Sequence, residues 1–269
     1  MSQPVKVLVL RTAGTNCDQE TVFAFHKLGA QVDLVHINRL FKKEVALSDY
    51  HILAIPGGFS YGDDIEAGRI LGNELRIRLG KDIAQFIKDR KLIIGICNGF
   101  QILAKAGILP GSLNAEAESS FDQTVTLMNN DSGKFEDRWI HLKVERNDSP
   151  WTKGLREIIY LPVAHGEGKF VPQNEEILKK LKNNKQIAFR YSQSSGNSPR
   201  YPDNPNGSWE HIAGITDKTG RVLGLMPHPE RHFLFIQHPS WTRQPKNGEF
   251  GDGAKIFENG IRYVKEKLL

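Results

Sequence analysis

The sequence predicts an α/β fold: a mostly parallel central sheet with helices on both faces, plus a smaller antiparallel part. Three observations predict it. Short, branched, apolar runs at residues 5–10, 32–35, 51–55 and 92–96 look like strands buried on both sides. Segments of helical period lie between them, so strand and helix alternate as far as residue 107. The second half instead holds candidate strands separated by turn-rich stretches, as antiparallel pairing requires.

The elements follow in order. After the first strand, Arg11-Thr12-Ala13-Gly14-Thr15-Asn16 reads as a turn. Val22, Phe25 and Leu28 then recur at helical spacing, with Asp18 and Glu20 where the helix dipole favours negative charge and Gly29 as a stop. The strand at 51–55 ends abruptly at Pro56-Gly57-Gly58, and residues 67–90 read as a helix with a break at Gly80. The strand at 92–96 leads into a helix at 98–106, closed by Gly107. Residues 124–128, 139–144, 187–191 and 211–216 are the strand candidates of the second half. The segment 193–206, rich in Ser, Pro, Asn and Gly, reads as a surface loop. Residues 222–226 form another buried-type strand, and 253–267 a terminal helix.

Composition narrows the function classes. With 269 residues, 39% hydrophobic and 25% charged, the chain matches a globular protein able to bury a large core. Its apolar runs fall far short of the roughly 20 residues that span a bilayer. The opening Met1-Ser2-Gln3-Pro4 lacks the layout of a signal peptide, so the cytoplasm is the expected compartment. Two cysteines, Cys17 and Cys97, do not make a disulfide framework. The net charge of +5 is spread along the chain without a recognition motif, which argues against nucleic acid.

Gly95-Ile96-Cys97-Asn98-Gly99 places a cysteine between a buried strand and a helix, flanked by glycines. This is the elbow on which a nucleophile is presented at a sharp turn. The helix N-terminus behind it favours thiolate, the attacking form, and the Asn98 N–H points toward the oxyanion made on attack. A buried structural cysteine is the alternative for Cys97, but strand, glycines and helix agree on the nucleophile. Cys17 lacks that context and reads as a packed or loop cysteine.

A cysteine nucleophile needs a proton-transfer partner and a group to orient it. The strand at 222–226 runs into Pro227-His228-Pro229-Glu230. Residues two apart in extended chain project to one side, and Pro229 pushes His228 toward extended backbone. Glu230 is thus placed to hold one ring nitrogen of His228 while the other faces Cys97. A turn histidine between two prolines is the alternative. His36, His51, His141 and His211 sit in or near strands and read as structural, and no Cys–His or helical His pair has the spacing of a metal site. Gly57 and Gly58 follow a parallel strand, where ligands bind, and supply close backbone approach and a second oxyanion donor. Gln101, one helical turn after Cys97, faces the same way and suits a polar substrate.

Taken together these motifs resemble the class I glutamine amidotransferases. Pro56-Gly57-Gly58, then Gly95-Ile96-Cys97-Asn98-Gly99-Phe100-Gln101, then His228-Pro229-Glu230 carry the resemblance. Gly57 to Asp63, Gly14-Thr15-Asn16-Cys17-Asp18, Ser132-Gly133-Lys134-Phe135 and Pro162-Val163-Ala164-His165-Gly166-Glu167-Gly168 are similar to the glutaminase subunits of phosphoribosylformylglycinamidine synthases. The resemblance covers nearly the whole chain and implies one glutamine amidotransferase domain over residues 1–269. It implies Cys97 as nucleophile, His228 as proton carrier, Glu230 as its orienter, and Gly58 and Asn98 as the oxyanion hole. Gln101 would hold L-glutamine, with Gly57, His165 and Glu167 lining the same pocket or the route to a partner. It further implies no cofactor on this chain. ATP and magnesium would belong to a larger synthetase subunit, with a small third subunit beside it. A glutaminase serving another synthetase, an α/β cysteine hydrolase and a non-catalytic regulatory subunit are the competing readings.

Overall fold

The first apolar run forms β1 (Lys6–Arg11), and the turn after it leads into α1 (Asp18–Lys27), β2 (Gln31–His36) and the short α2 (Ile37–Phe41). These belong to a computed structural model that describes residues 3–111, 121–245 and 248–269. β3 (Ile52–Ile55), α3 (Arg69–Lys88), β4 (Leu92–Ile96) and α4 (Asn98–Lys105) complete the alternating half. Beyond it come β5 (Val125–Met128), β6 (Glu136–Val144), β7 (Ile158–His165), β8 (Lys169–Pro172) and α5 (Glu175–Asn183). The chain ends with β9 (Ile187–Ser192), β10 (Ile212–Thr216), β11 (Val222–Leu225) and α6 (Ala254–Lys267).

Nine strands make one sheet in the order β2-β1-β3-β4-β11-β10-β9-β6-β7. Its first five strands pair in parallel and the rest antiparallel. The fold class expected from the sequence is the one observed, and the antiparallel strands continue the main sheet. β5 and β8 form a separate two-stranded pair. Every residue of β3, β4 and β11 is buried, as a sheet covered on both faces demands. Helices α1 and α6 pack together, as do α3 and α4. From β1 the chain steps outward to β2, then returns past β1 to β3 and β4. With right-handed crossovers this reversal puts α1 and α3 on opposite faces. The reversal also leaves a crevice at the carboxyl ends of β1 and β3, where open α/β sheets bind ligands.

Several details differ from the sequence reading, α2 and β8 among the elements it did not anticipate. α3 runs unbroken through Gly80, with Leu75, Leu79 and Ile83 buried along one face. β7 was not anticipated: Pro162 argues against a strand, yet β7 is the sheet edge, where the lost donor costs nothing. α5 was not anticipated either. It carries a capped start, with the Asn174 side chain accepting from the Ile177 N–H at 3.0 Å, and buries Ile177, Leu178 and Leu181. Residues 193–206 form turns and bends, as expected, but the segment is not all surface: Asn204 and Asn206 at its end are buried.

Candidate active site

The carboxyl ends of β1, β3, β4 and β11 converge on Cys97. This residue takes φ 51° and ψ −106°, a left-handed conformation rare for a side-chain-bearing residue and typical of a functional strand-to-helix turn. Its N–H donates to the Leu225 carbonyl at 2.8 Å, and its own carbonyl accepts from Phe100 and Gln101. The flanking glycines answer to backbone on both sides. A Cβ on Gly95 would come within 2.6 Å of the Gly99 carbonyl oxygen, and one on Gly99 within 1.9 Å of the Ile55 carbonyl oxygen. The Cys97 thiol lies 3.6 Å from the Ala164 carbonyl, so β7 closes the pocket from the antiparallel side.

His228 follows β11, with its N–H donating to the Pro162 carbonyl at 2.8 Å. Its backbone is extended at φ −101° and ψ 92°, as a residue before proline prefers. Glu230 lies in the next tight turn, Pro229–His232, and its Oε1 lies 2.6 Å from His228 Nδ1. Both side chains are buried. His228 Nε2 has no hydrogen-bond partner among the described residues. Burial alone would lower the pKa of this imidazole. Glu230, then Cys97, outweigh it and hold the ring well above the ordinary histidine value. The favoured state is an imidazolium with Nδ1–H donating to Glu230 and Nε2–H available to the sulfur.

Gly57 separates these groups. A Cβ there would meet His228 Cε1 at 2.8 Å, Cys17 Sγ at 3.1 Å and Cys97 Cβ at 3.4 Å. Its carbonyl accepts from the N–H groups of Asn16 and Cys17. In a planar trans peptide that anchoring turns the Gly58 N–H the opposite way. Among the described residues neither the Gly58 nor the Asn98 N–H donates to any acceptor.

The Asn98 side chain ties the walls together. Its amide donates to Gln101 Oε1 at 2.9 Å and Asp63 Oδ1 at 3.3 Å, and its Oδ1 accepts from the Ser60 N–H at 3.2 Å. Gln101 Nε2 donates to the Glu167 carbonyl at 2.5 Å, and Glu167 Oε2 accepts from the Ala67 N–H at 3.2 Å. Gln101 and Glu167 therefore flank one loop. His165 is placed differently. Its Nδ1 lies 3.1 Å from Asn130 Oδ1 and its Nε2 is 3.4 Å from Asn206 Nδ2, so both nitrogens are engaged within the protein. Burial, then the positive His228, pushes this ring down to about 4, which keeps it neutral.

Two residues at the site were not singled out by the sequence reading. Cys17, expected to be a packed or loop cysteine, is buried with its sulfur 3.9 Å from His228 Nδ1 and accepts from Arg231 at 3.1 Å. Burial raises its pKa most, favouring the neutral thiol. Asp63 is pushed up to about 6, first by burial, with Glu167 adding to the rise. No role was assigned to either; the resembling stretches Gly14–Asp18 and Gly57–Asp63 hinted at both. A separate cavity of about 850 Å³, beside His141, Tyr160, His232 and Asp252, is not lined by Cys97, His228 or Glu230.

Comparison with known proteins covers nearly the whole chain. The profile of the CobB/CobQ-like glutamine amidotransferase domain matches residues 4–264. Phosphoribosylformylglycinamidine synthase subunit PurQ of Dehalococcoides mccartyi is 47% identical over 97% of this chain and 98% of its own length. The protein of the same name from Archaeoglobus fulgidus is 42% identical, with 99% of each chain covered. A chain in the structure of PurLQS from Thermotoga maritima superposes with a TM-score of 0.73 at 32% identity, covering 97% of this chain and all of that one.

Proposed function

The chain belongs to the CobB/CobQ-like glutamine amidotransferase family, and on that premise we propose how its residues carry out the reaction. It is the glutaminase subunit of phosphoribosylformylglycinamidine synthase, acting in purine biosynthesis. One observation carries the catalytic reading: Cys97 sits on a strained elbow beside His228, whose Nδ1 lies 2.6 Å from Glu230 Oε1.

Cys97 thiolate attacks the side-chain amide carbon of L-glutamine, forming the C–S bond as the carbonyl π pair moves onto oxygen. The N–H groups of Gly58 and Asn98, free of other acceptors, receive that oxyanion. His228 passes its Nε2 proton to the amide nitrogen. The C–N bond breaks, ammonia leaves and a γ-glutamyl thioester remains. The now neutral His228 takes a proton from water, whose hydroxide attacks the thioester. The C–S bond then breaks, releasing glutamate and restoring the thiolate–imidazolium pair. Gln101 and Glu167 hold the loop that walls the substrate, and Gly57 keeps the space between base and nucleophile open. His165, with both nitrogens engaged, shapes that wall through its loop.

Ammonia is mostly protonated at neutral pH and nucleophilic only as the free base, so it must reach its acceptor without mixing with solvent. The partner is the larger synthetase subunit, with a small third subunit. ATP and magnesium act on that partner, in the amination of formylglycinamide ribonucleotide; this sequence has no Gly-x-x-x-x-Gly-Lys-Ser/Thr loop. The whole chain works as one glutaminase domain in the cytoplasm, and among the described residues no helix is long and apolar enough to cross a membrane. Glutamate release from glutamine is the test, measured with and without the synthetase subunit. The expected result is release that rises with the partner and vanishes in Cys97→Ala. Release that ignores the partner would point to a glutaminase of another synthetase.

A further inference from the structure

Cys17 lies at the catalytic histidine, yet the reaction above gives it no task. Its sulfur, His228 Nδ1 and a Glu230 carboxylate oxygen all lie within 4.8 Å of one another. All three residues are buried. Glu230 Oε2 has no hydrogen-bond partner among the described residues, although its side chain is 0% exposed. An unpaired carboxylate oxygen in such surroundings is costly, and a cation would satisfy it.

We propose that Cys17, His228 Nδ1 and Glu230 form an inhibitory site for Zn²⁺ or a similarly thiophilic divalent ion. The donor set is one thiolate, one imidazole and one carboxylate, the mixture that zinc takes and magnesium does not. Tetrahedral zinc, with Zn–S about 2.3 Å and Zn–N about 2.0–2.1 Å, places the two donors about 3.6 Å apart. Cys17 Sγ and His228 Nδ1 are 3.9 Å apart already. Glu230 Oε1, at 2.6 Å from Nδ1, is too close to share the ion, so the carboxylate turns to present Oε2. Charge balances as well: one dication meets one thiolate and one carboxylate. Binding releases two protons to solvent, one from the Cys17 thiol and one from His228 Nδ1. Arg231 must withdraw from Cys17; its side chain is 35% exposed and has Glu20 as a second partner at 3.7 Å.

The consequence falls on the reaction. With the metal on Nδ1, His228 is a neutral imidazole whose remaining Nε2 proton is far less acidic than that of the imidazolium, so it is not passed to the amide nitrogen and ammonia does not leave. The glutaminase itself therefore stops, independently of the synthetase. This inference rests on the catalytic reading above, and two measurements keep them apart.

The first is glutamate release by the assembled synthase under buffered Zn²⁺. The wild type should lose activity at zinc levels where millimolar Mg²⁺ has no effect. Measured against its own zinc-free rate, Cys17→Ser should need at least about tenfold more zinc, since losing even an outer-shell partner costs about 10–100-fold in metal affinity. The second needs no activity: Co²⁺ added to the Cys97→Ser chain should give a thiolate-to-cobalt charge-transfer band, absent when Cys17→Ser is added. Equal zinc sensitivity in wild type and Cys17→Ser would overturn the proposal, placing the ion on Cys97 or on the partner. Absence of the cobalt band in Cys97→Ser would overturn it too. A cobalt band in a wild-type chain without glutaminase activity would keep the metal site and sink the catalytic reading instead.

Discussion

Gly99→Ala sets two effects of one methyl group against each other. Gly99 lies in α4, where alanine is intrinsically favoured over glycine by about 1 kcal/mol. A Cβ there would stand 1.9 Å from the Ile55 carbonyl oxygen and 2.8 Å from its carbon, against 3.4 Å for ordinary contact. The backbone must open by 3.4 − 1.9 = 1.5 Å. Ile55 sits in β3, clamped between β1 and β4, so the carbonyl cannot simply rotate away. Overpacking of this kind costs about 1–3 kcal/mol, which exceeds the gain in propensity. The larger effect is on catalysis. Ile55 leads through Pro56 to Gly57 and Gly58, so the shift carries one oxyanion donor out of hydrogen-bond range. Loss of one donor costs about 3–4 kcal/mol, a fall of about 10²–10³ in kcat. Urea unfolding checks the first figure and steady-state glutamate release by the assembled synthase checks the second. An alanine variant more stable than wild type, with unchanged kcat, would refute the reasoning.

Other expectations follow from the same geometry. Glu230→Gln removes the charge that holds His228 protonated, so the alkaline limb of the kcat profile should move to lower pH and kcat should fall by about 10- to 100-fold, the worth of a charged hydrogen bond. Because the folded His228 pKa is raised, its stabilisation is fully present below about pH 6.5 and fades as pH rises through the folded value. The stability gap between wild type and Glu230→Gln should therefore be widest in mild acid. His165 has the opposite sign. Its folded pKa of about 4 lies below the ordinary 6.5, so its contribution is present above pH 6.5 and is lost as pH falls toward 4, by roughly 3 kcal/mol. In His165→Gln the acid loss of stability over that window should be shallower, as urea midpoints would reveal. Asn98→Ala strands Ser60 N–H and Gln101 Oε1 without partners and should cost about 1–3 kcal/mol for each group left buried, read by the same unfolding measurement.

The parallel half of the fold was legible because burial on both faces writes a plain signal. The runs at 51–55, 92–96 and 222–226 became β3, β4 and β11 with boundaries within a residue. The elbow was legible for a related reason: close backbone contacts demand Gly95, against α4, and Gly99, against β3, and leave their mark in a short motif. β7 was not, since an edge strand tolerates Pro162 and the proline masks the pattern. Cys17 and Asp63 reach the site through long-range folding of the loops after β1 and β3, and no local periodicity reports that. Nor does sequence report that Asn130 and Asn206 engage both nitrogens of His165.

The central claim is that Cys97 makes ammonia for a separate amination step. Its most direct test is synthesis of formylglycinamidine ribonucleotide by the synthase assembled with Cys97→Ala, fed first with glutamine and then with ammonium salt. The account predicts no product from glutamine and near wild-type synthesis from ammonium. Product from glutamine at the wild-type rate would contradict it.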